Sequence, residues 1–161
     1  MAARSGTGTI KFPPPPGYDL VVTFGYRYIL RKEIIDGAGV PIVNLRISYL
    51  PWNRGAHPNF WSFFDCTPSF VSIHLLDAGV DTGPIIFQKY VNFSEAELTF
   101  SHTYSRLIVE IEQLFREHIH DIVAKTFVAI PQRRKGTDHR VSDLPKEFSG
   151  WNANIRVEVC R

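Results

Sequence analysis

Residues 41–88 read PIVNLRISYLPWNRGAHPNFWSFFDCTPSFVSIHLLDAGVDTGPIIFQ, and the pattern of this stretch decides the fold. Residues 40–45 are apolar and β-branched and short enough for a buried strand. Residues 70–76 and 85–93 have the same strand-like character, and the turn-rich segment 77–84 lies between them. That arrangement predicts an antiparallel hairpin with a long loop. Three polar groups stand out. Asn44 sits at the end of the first run, His74 lies inside the apolar run FVSIHLL, and Asp81 lies in the turn GVDTGP. Strand ends and the loops that follow them are where a rigid scaffold presents chemistry, which makes Asn44 and Asp81 candidate site residues. His74 has two readings, a satisfied core histidine or a side chain reaching into a pocket.

Upstream, residues 19–24 (DLVVTF) read as a second buried strand. Gly25 follows, and YRYILRKEIIDG reads as a loop and a short helix stopped at Gly37. Two strands joined by a helix predict a parallel βαβ unit with its functional loops at the strand C-termini. Residues 1–17 are small, polar and basic and end in a run from Pro13 to Pro16, which favours an extended polyproline segment. They read as a disordered arm, either a spacer or a ligand for an aromatic groove.

Downstream of Asn44, residues 52–55 read as a polar turn. Residues 58–64 read as a short aromatic helix whose Phe60, Trp61, Phe63 and Phe64 serve core packing. Residues 94–125 read as one long amphipathic helix. Its apolar residues, among them Leu107, Ile111, Leu114 and Ile122, recur at three and four. Ser94 with Glu97 resembles a capping box at its start. His102, His118 and His120 on this helix lack metal-ligand spacing and are expected to face solvent. Residues 127–161 read as an irregular extension containing the basic run PQRRK.

At 161 residues the chain suits one domain with a real core. Its hydrophobic content of 44% and charged content of 21% are those of an ordinary globular protein. A net charge of +2 argues against a dedicated nucleic-acid surface. Cys66 and Cys160 make no disulfide framework, and a reducing cytosol is the simpler reading. No apolar run approaches the ~18 residues of a membrane span, and the first residues lack the apolar core of a secretory signal. The expected location is cytoplasmic.

The spaced set Asn44-Leu45-Arg46, Ser48-Tyr49-Leu50-Pro51, Arg54-Gly55 and Asp81-Thr82-Gly83 resembles the folate-dependent formyltransferase superfamily. Its members formylate glycinamide ribonucleotide, initiator methionyl-tRNA and amino-sugar nucleotides. The resemblance implies an α/β fold: a partial Rossmann-like formyltransferase domain whose mixed sheet has two parallel strands and an antiparallel hairpin, with a long C-terminal helix. Residues 18–126 would be the C-terminal half of a catalytic core, because the family fold begins with further βα units and a glycine-rich turn. The first strand would then present an open edge, predicting self-association or a partner chain.

By the same resemblance, Asn44 would be an oxyanion donor and Asp81 an orienting carboxylate, while Arg46 stands where the family has its catalytic histidine. Phe24, Gly25, Tyr26, Arg27, Ile29, Leu30, His74 and Asp77 would lie against the folate. The implied formyl donor is 10-formyltetrahydrofolate, and the acceptor is a small-molecule amine. The turn Trp52-Asn53-Arg54-Gly55 and the segment Gly136-Thr137-Asp138-His139-Arg140 tilt that acceptor toward an amino-sugar nucleotide; read without the resemblance, the second segment is a solvated loop. Arg46 and the missing half motivate the alternative of a non-catalytic folate-binding or protein-interaction module.

Overall fold

A computed structural model describes residues 17–159 apart from Arg27, Glu95 and Glu97. The expected proline-rich arm, save Gly17, and Cys160 lie outside the described residues. The fold is α/β. Strand β1 (Val21–Phe24) leads through helix α1 (Lys32–Gly37) to β2 (Ile42–Arg46), which pairs with it in parallel. The short strand β3 (Arg54–Gly55) and helix α2 (Pro58–Phe64) precede the antiparallel hairpin β4 (Phe70–Leu75) and β5 (Ile85–Tyr90). β2 also pairs antiparallel with β4, so the sheet order is β1-β2-β4-β5. This is the mixed sheet expected, with two parallel strands and a hairpin.

The period of two in β2 explains how one strand serves both core and site. Val43 and Leu45 pack with Val71 and Ile73 of β4 against helix α3 (Phe100–Ala124), where Leu107, Ile111, Leu114 and Ile122 form the buried stripe. Asn44 and Arg46, at the alternate positions, fall on the other face. Lys89 of β5 and Glu110 of α3 add an ion pair of 2.7 Å between sheet and helix.

The long helix begins later than its apolar pattern suggests. Thr99, not Ser94, is the N-cap, and its side chain accepts from the His102 amide. The cause is tertiary. Leu98 accepts from the Ile155 amide, and Thr99 bridges Asn154, so the backbone before Phe100 is held extended by the tail. His102 and His120 are exposed as expected, but His118 is half-buried, stacked on Phe87 with ring centroids 3.8 Å apart.

Residues 127–159 form strand β6 (Asp138–His139), a 3-10 turn (Val141–Asp143) and helix α4 (Ile155–Val159). β6 pairs in parallel with β3. Leu144, Phe148, Ile155 and Val159 pack with Phe60, Trp61 and Phe63 of α2 and with Phe100. Phe60 and Trp61 are thus core residues as expected, whereas Phe64 is half-exposed. The segment 136–140 is no free loop: a Cβ on Gly136 would lie 1.7 Å from the Pro51 carbonyl oxygen, so only glycine allows this approach. No helix among the described residues is long and apolar enough to cross a membrane.

The interface between α3 and the sheet should dominate stability. Ile111 is fully buried and Val109 is 60% exposed. Ile111→Ala should cost about 2–5 kcal/mol in urea unfolding, and Val109→Ala less than about 0.5 kcal/mol.

Candidate functional site

Thr23, Asn44 and His74 stand in register on three adjacent strands, β1, β2 and β4. Asn44 is central to this row. Its Oδ1 lies 3.0 Å from the Thr23 hydroxyl, and its Nδ2 lies 3.2 Å from Nε2 of His74 and 3.3 Å from Oδ1 of Asp81. His74 is fully buried, with Nδ1 2.9 Å from the Leu75 carbonyl oxygen. Asp81 arrives from the loop between β4 and β5. That loop is shaped by Asp77, whose Oδ1 accepts from the Gly79 amide at 3.0 Å and the Thr82 hydroxyl at 2.6 Å. Asp81 itself sits at φ 55°, a left-handed conformation that aspartate tolerates better than most residues.

Arg46 lies two residues beyond Asn44, on the same face of β2. Its Nη2 pairs with Asp81 Oδ2 at 2.9 Å and donates to the Gly55 carbonyl. The Gly55 amide in turn donates to Asp81 Oδ2 at 2.9 Å. Burial pulls the Arg46 guanidinium below its ordinary value, and the Asp81 charge opposes that shift. For Asp81, burial favours the neutral acid. The His74 side chain, the Arg46 charge and the Gly55 amide outweigh it, and the carboxyl is held below the usual carboxylate range. Arg46 Nε is buried and has no hydrogen-bond partner among the described residues.

These groups lie at the floor of a cavity of about 650 Å³, lined by Thr23, Asn44, Arg46, Gly55, His57, Asp77 and Asp81 and walled by Gly25, Tyr26, Tyr28, Ile29 and Leu30. Of the residues expected at a folate site, Gly25, Tyr26, Ile29, Leu30 and Asp77 line this cavity. Phe24 and His74 do not; His74 is sealed off with 0% exposure and meets the site through Asn44 and Asp81. Arg27 lies outside the described residues.

Sequence reading missed Thr23, His57 and Gln132. Gln132 donates from Nε2 to the Asp81 and Gly83 carbonyls at 2.9 and 2.7 Å, and its Oε1 accepts from Arg54. It thereby pins the loop that carries Asp81. The tail holds the other side of the cavity too. Thr137 bonds Asn53, and His139 stacks on Trp61 while bonding Asp65 at 2.8 Å. Only the segment from Gly136 to Arg140 gave a sequence signal for this; a lone glutamine beside a proline gives none.

Comparison with known proteins matches residues 15–119 to the formyl transferase family. The dTDP-4-amino-4,6-dideoxyglucose formyltransferase of Mycobacterium tuberculosis is 33% identical over 131 residues, 81% of this chain and 53% of that protein. The methionyl-tRNA formyltransferase of Acetivibrio thermocellus is 30% identical over 140 residues, 86% of this chain and 45% of that protein. The chain spans about half the length of the curated relatives it matches. Among solved structures, the formyltransferase PseJ from Anoxybacillus kamchatkensis, in complex with UDP-4,6-dideoxy-4-formamido-L-AltNAc and tetrahydrofolate, superposes with a TM-score of 0.83 at 37% identity, covering 92% of this chain and 82% of that chain.

The Arg46–Asp81 pair should be visible in stability. Asp81→Asn leaves a buried guanidinium without its counter-charge, an expected cost of roughly 3–5 kcal/mol at neutral pH. Because the folded carboxyl lies below its unfolded value of ~3.9, its stabilisation is complete above that value and is lost as pH falls through the folded one. Urea unfolding should therefore show a wide gap between wild type and Asp81→Asn near pH 7 that narrows as pH falls below ~3.9.

Proposed function

The chain belongs to the formyl transferase family, and on that premise we propose that it moves a formyl group from 10-formyltetrahydrofolate to the amine of an amino-sugar nucleotide. One observation carries this reading: Asn44, Arg46 and Asp81 meet at the floor of a single cavity whose wall is the loop following β1. The relative complexed with tetrahydrofolate and a formamido-sugar nucleotide supports the choice of both substrates.

Bound 10-formyltetrahydrofolate would supply the formyl group as a one-carbon unit already activated on nitrogen. The cavity fits such a guest in size, and its floor holds a buried donor without a partner among the described residues, Arg46 Nε. Gly25, Tyr26, Ile29 and Leu30 form the wall against which the pterin would lie. Asn44 and Arg46 present N–H groups toward the point where an oxygen gains negative charge as the amine attacks. Preorganised donors of this kind supply roughly 3 kcal/mol each in comparable sites. Asp81 orients both donors and is the proton-accepting group at the floor. Arg46 holds charge but does not exchange a proton near neutral pH: burial pulls the guanidinium below its ordinary value, yet the Asp81 carboxylate beside it favours the charged form. For the acceptor, an aromatic pocket of about 310 Å³ adjoins the cavity at His57, lined by Ile47, Phe60, Tyr104 and Trp151 among others. The outer edge of β1, where Val22 and Phe24 are exposed, is where a partner chain or second copy would extend the sheet.

Arg46 also favours a second reading, a module that binds folate without transferring from it. An arginine paired with Asp81 retains the electrostatics of the site while removing a histidine that would titrate near neutrality.

Single-turnover transfer from 10-formyltetrahydrofolate to a panel of amino-sugar nucleotides, with titration of a non-reactive folate analogue, tests both. Transfer by the wild type is expected, lowered about a hundredfold by Asn44→Ala. Arg46→His should raise it by roughly ten- to a thousandfold by restoring a group that gives and takes protons. Folate binding without transfer in wild type and Arg46→His selects the second reading; neither binding nor transfer overturns both.

A further inference from the structure

The basic run at residues 131–135 lines no part of the cavity around Asn44, yet it is held in place at both ends. Upstream, Ile130 exchanges backbone hydrogen bonds of 2.8 and 2.9 Å with Ile85 of β5, and Gln132 is tied to the Asp81 loop and to Arg54. Downstream, Gly136 packs against the Pro51 carbonyl. Arg133, Arg134 and Lys135 lie between these anchors. They are exposed and make no ion pair or hydrogen bond among the described residues. Three like charges on a tethered loop, with no acid paired to them, attract an anion.

A groove of about 580 Å³ is lined by this loop and by the turn at residues 49–52. Its size falls in the range of small-molecule sites, about 300–1,000 Å³. Arg133 and Arg134 line it together with Tyr49, Trp52 and Gln88, and no acidic residue does. The Trp52 indole stacks on Tyr49, with centroids 4.9 Å apart and 17° between the planes, and Tyr49 stacks in turn on Phe70 at 4.1 Å. The stack fixes the indole. Trp52 meets no other ring among the described residues, so one of its faces has no aromatic neighbour. The groove shares no lining residue with the cavity around Asn44 or with the aromatic pocket at His57.

An indole face beside two guanidinium groups matches a ligand that carries both a planar ring and phosphates. A base stacks on an aromatic face whatever its identity, and phosphate oxygens accept from the forked N–H groups of arginine. We propose that this groove is a second binding site, for a nucleoside phosphate, with the base against Trp52 and the phosphates on Arg133 and Arg134. The proposal rests on the groove alone and stands apart from formyl transfer.

Titration of the full chain with uridine 5′-diphosphate (UDP), followed through the indole N–H signals of its three tryptophans, tests this. Trp52 reports on the groove, Trp151 on the aromatic pocket and the buried Trp61 on neither. The Trp52 signal should shift and saturate. The double variant Arg133→Ala/Arg134→Ala should weaken that binding by roughly ten- to a hundredfold, the range of charge-assisted hydrogen bonds. Arg133→Gln/Arg134→Gln serves in its place should that variant fail to fold. Pyrophosphate, which lacks the base, should bind roughly ten- to a hundredfold more weakly than UDP. An amino-sugar nucleotide that displaces UDP from Trp52 identifies the acceptor as the source of the nucleotide; one that leaves UDP in place identifies a free nucleotide. Movement of Trp151 alone, equal binding of pyrophosphate and UDP, an unchanged Trp52 response in the arginine variant, or no binding at all overturns the proposal. So does a single-stranded oligonucleotide that shifts Trp52 where UDP does not. Absence of formyl transfer overturns only the function proposed above.

Discussion

The ion pair between Arg46 and Asp81 is the constraint on which the site depends. Both partners hold the same third residue: Arg46 donates to the Gly55 carbonyl, and Asp81 accepts from the Gly55 amide. Three segments distant in sequence, the end of β2, the turn before α2 and the loop after β4, are thus fastened at one point. A buried pair of this kind carries a large desolvation cost that attraction alone offsets poorly. The added bonds to Gly55 satisfy lone pairs and hydrogens that burial would otherwise leave open. Gly55 has no freedom to be another residue, since at φ 80° its Cβ would lie 2.2 Å from the His139 carbonyl oxygen.

That crowding ties the tail to the chemistry. β6 lies beside β3 because Gly55 and Gly136 allow backbones to approach. Gln132 then bonds the Asp81 loop without lining the cavity. The tail also closes the aromatic cluster over α2, which fixes His57 at the junction of the two pockets. Residues beyond the family match at 119 are therefore structural parts of the site: the Gln132 side chain pins the Asp81 loop, and Val141 lines the cavity.

Arg46 sets the division of labour among the polar groups. In this arrangement the permanent charge belongs to Arg46 and the permanent counter-charge to Asp81. His74 is held below them by Leu75 and Asn44, out of the cavity lining. It meets the site through its hydrogen bond with Asn44, 3.2 Å from the amide.

Sequence alone determined the strands, the hairpin and the long helix, because alternation of two and spacing of three and four are local consequences of where the core lies. It also picked out Asn44 and Asp81, which stand at a strand end and in a turn where chemistry is presented, and Arg46 through a spaced pattern that resembles a family. Tertiary structure decided the rest. The start of the long helix moved to Thr99 because Asn154 and Ile155 claim the preceding backbone. Thr23 and Gln132 entered the site through partners 21 and 51 residues away. A hydroxyl or a carboxamide has the same local pattern in a loop, a core or a site; its role is set by which acceptors the folded chain brings within about 3 Å, and that distance is fixed by packing rather than by neighbours in sequence.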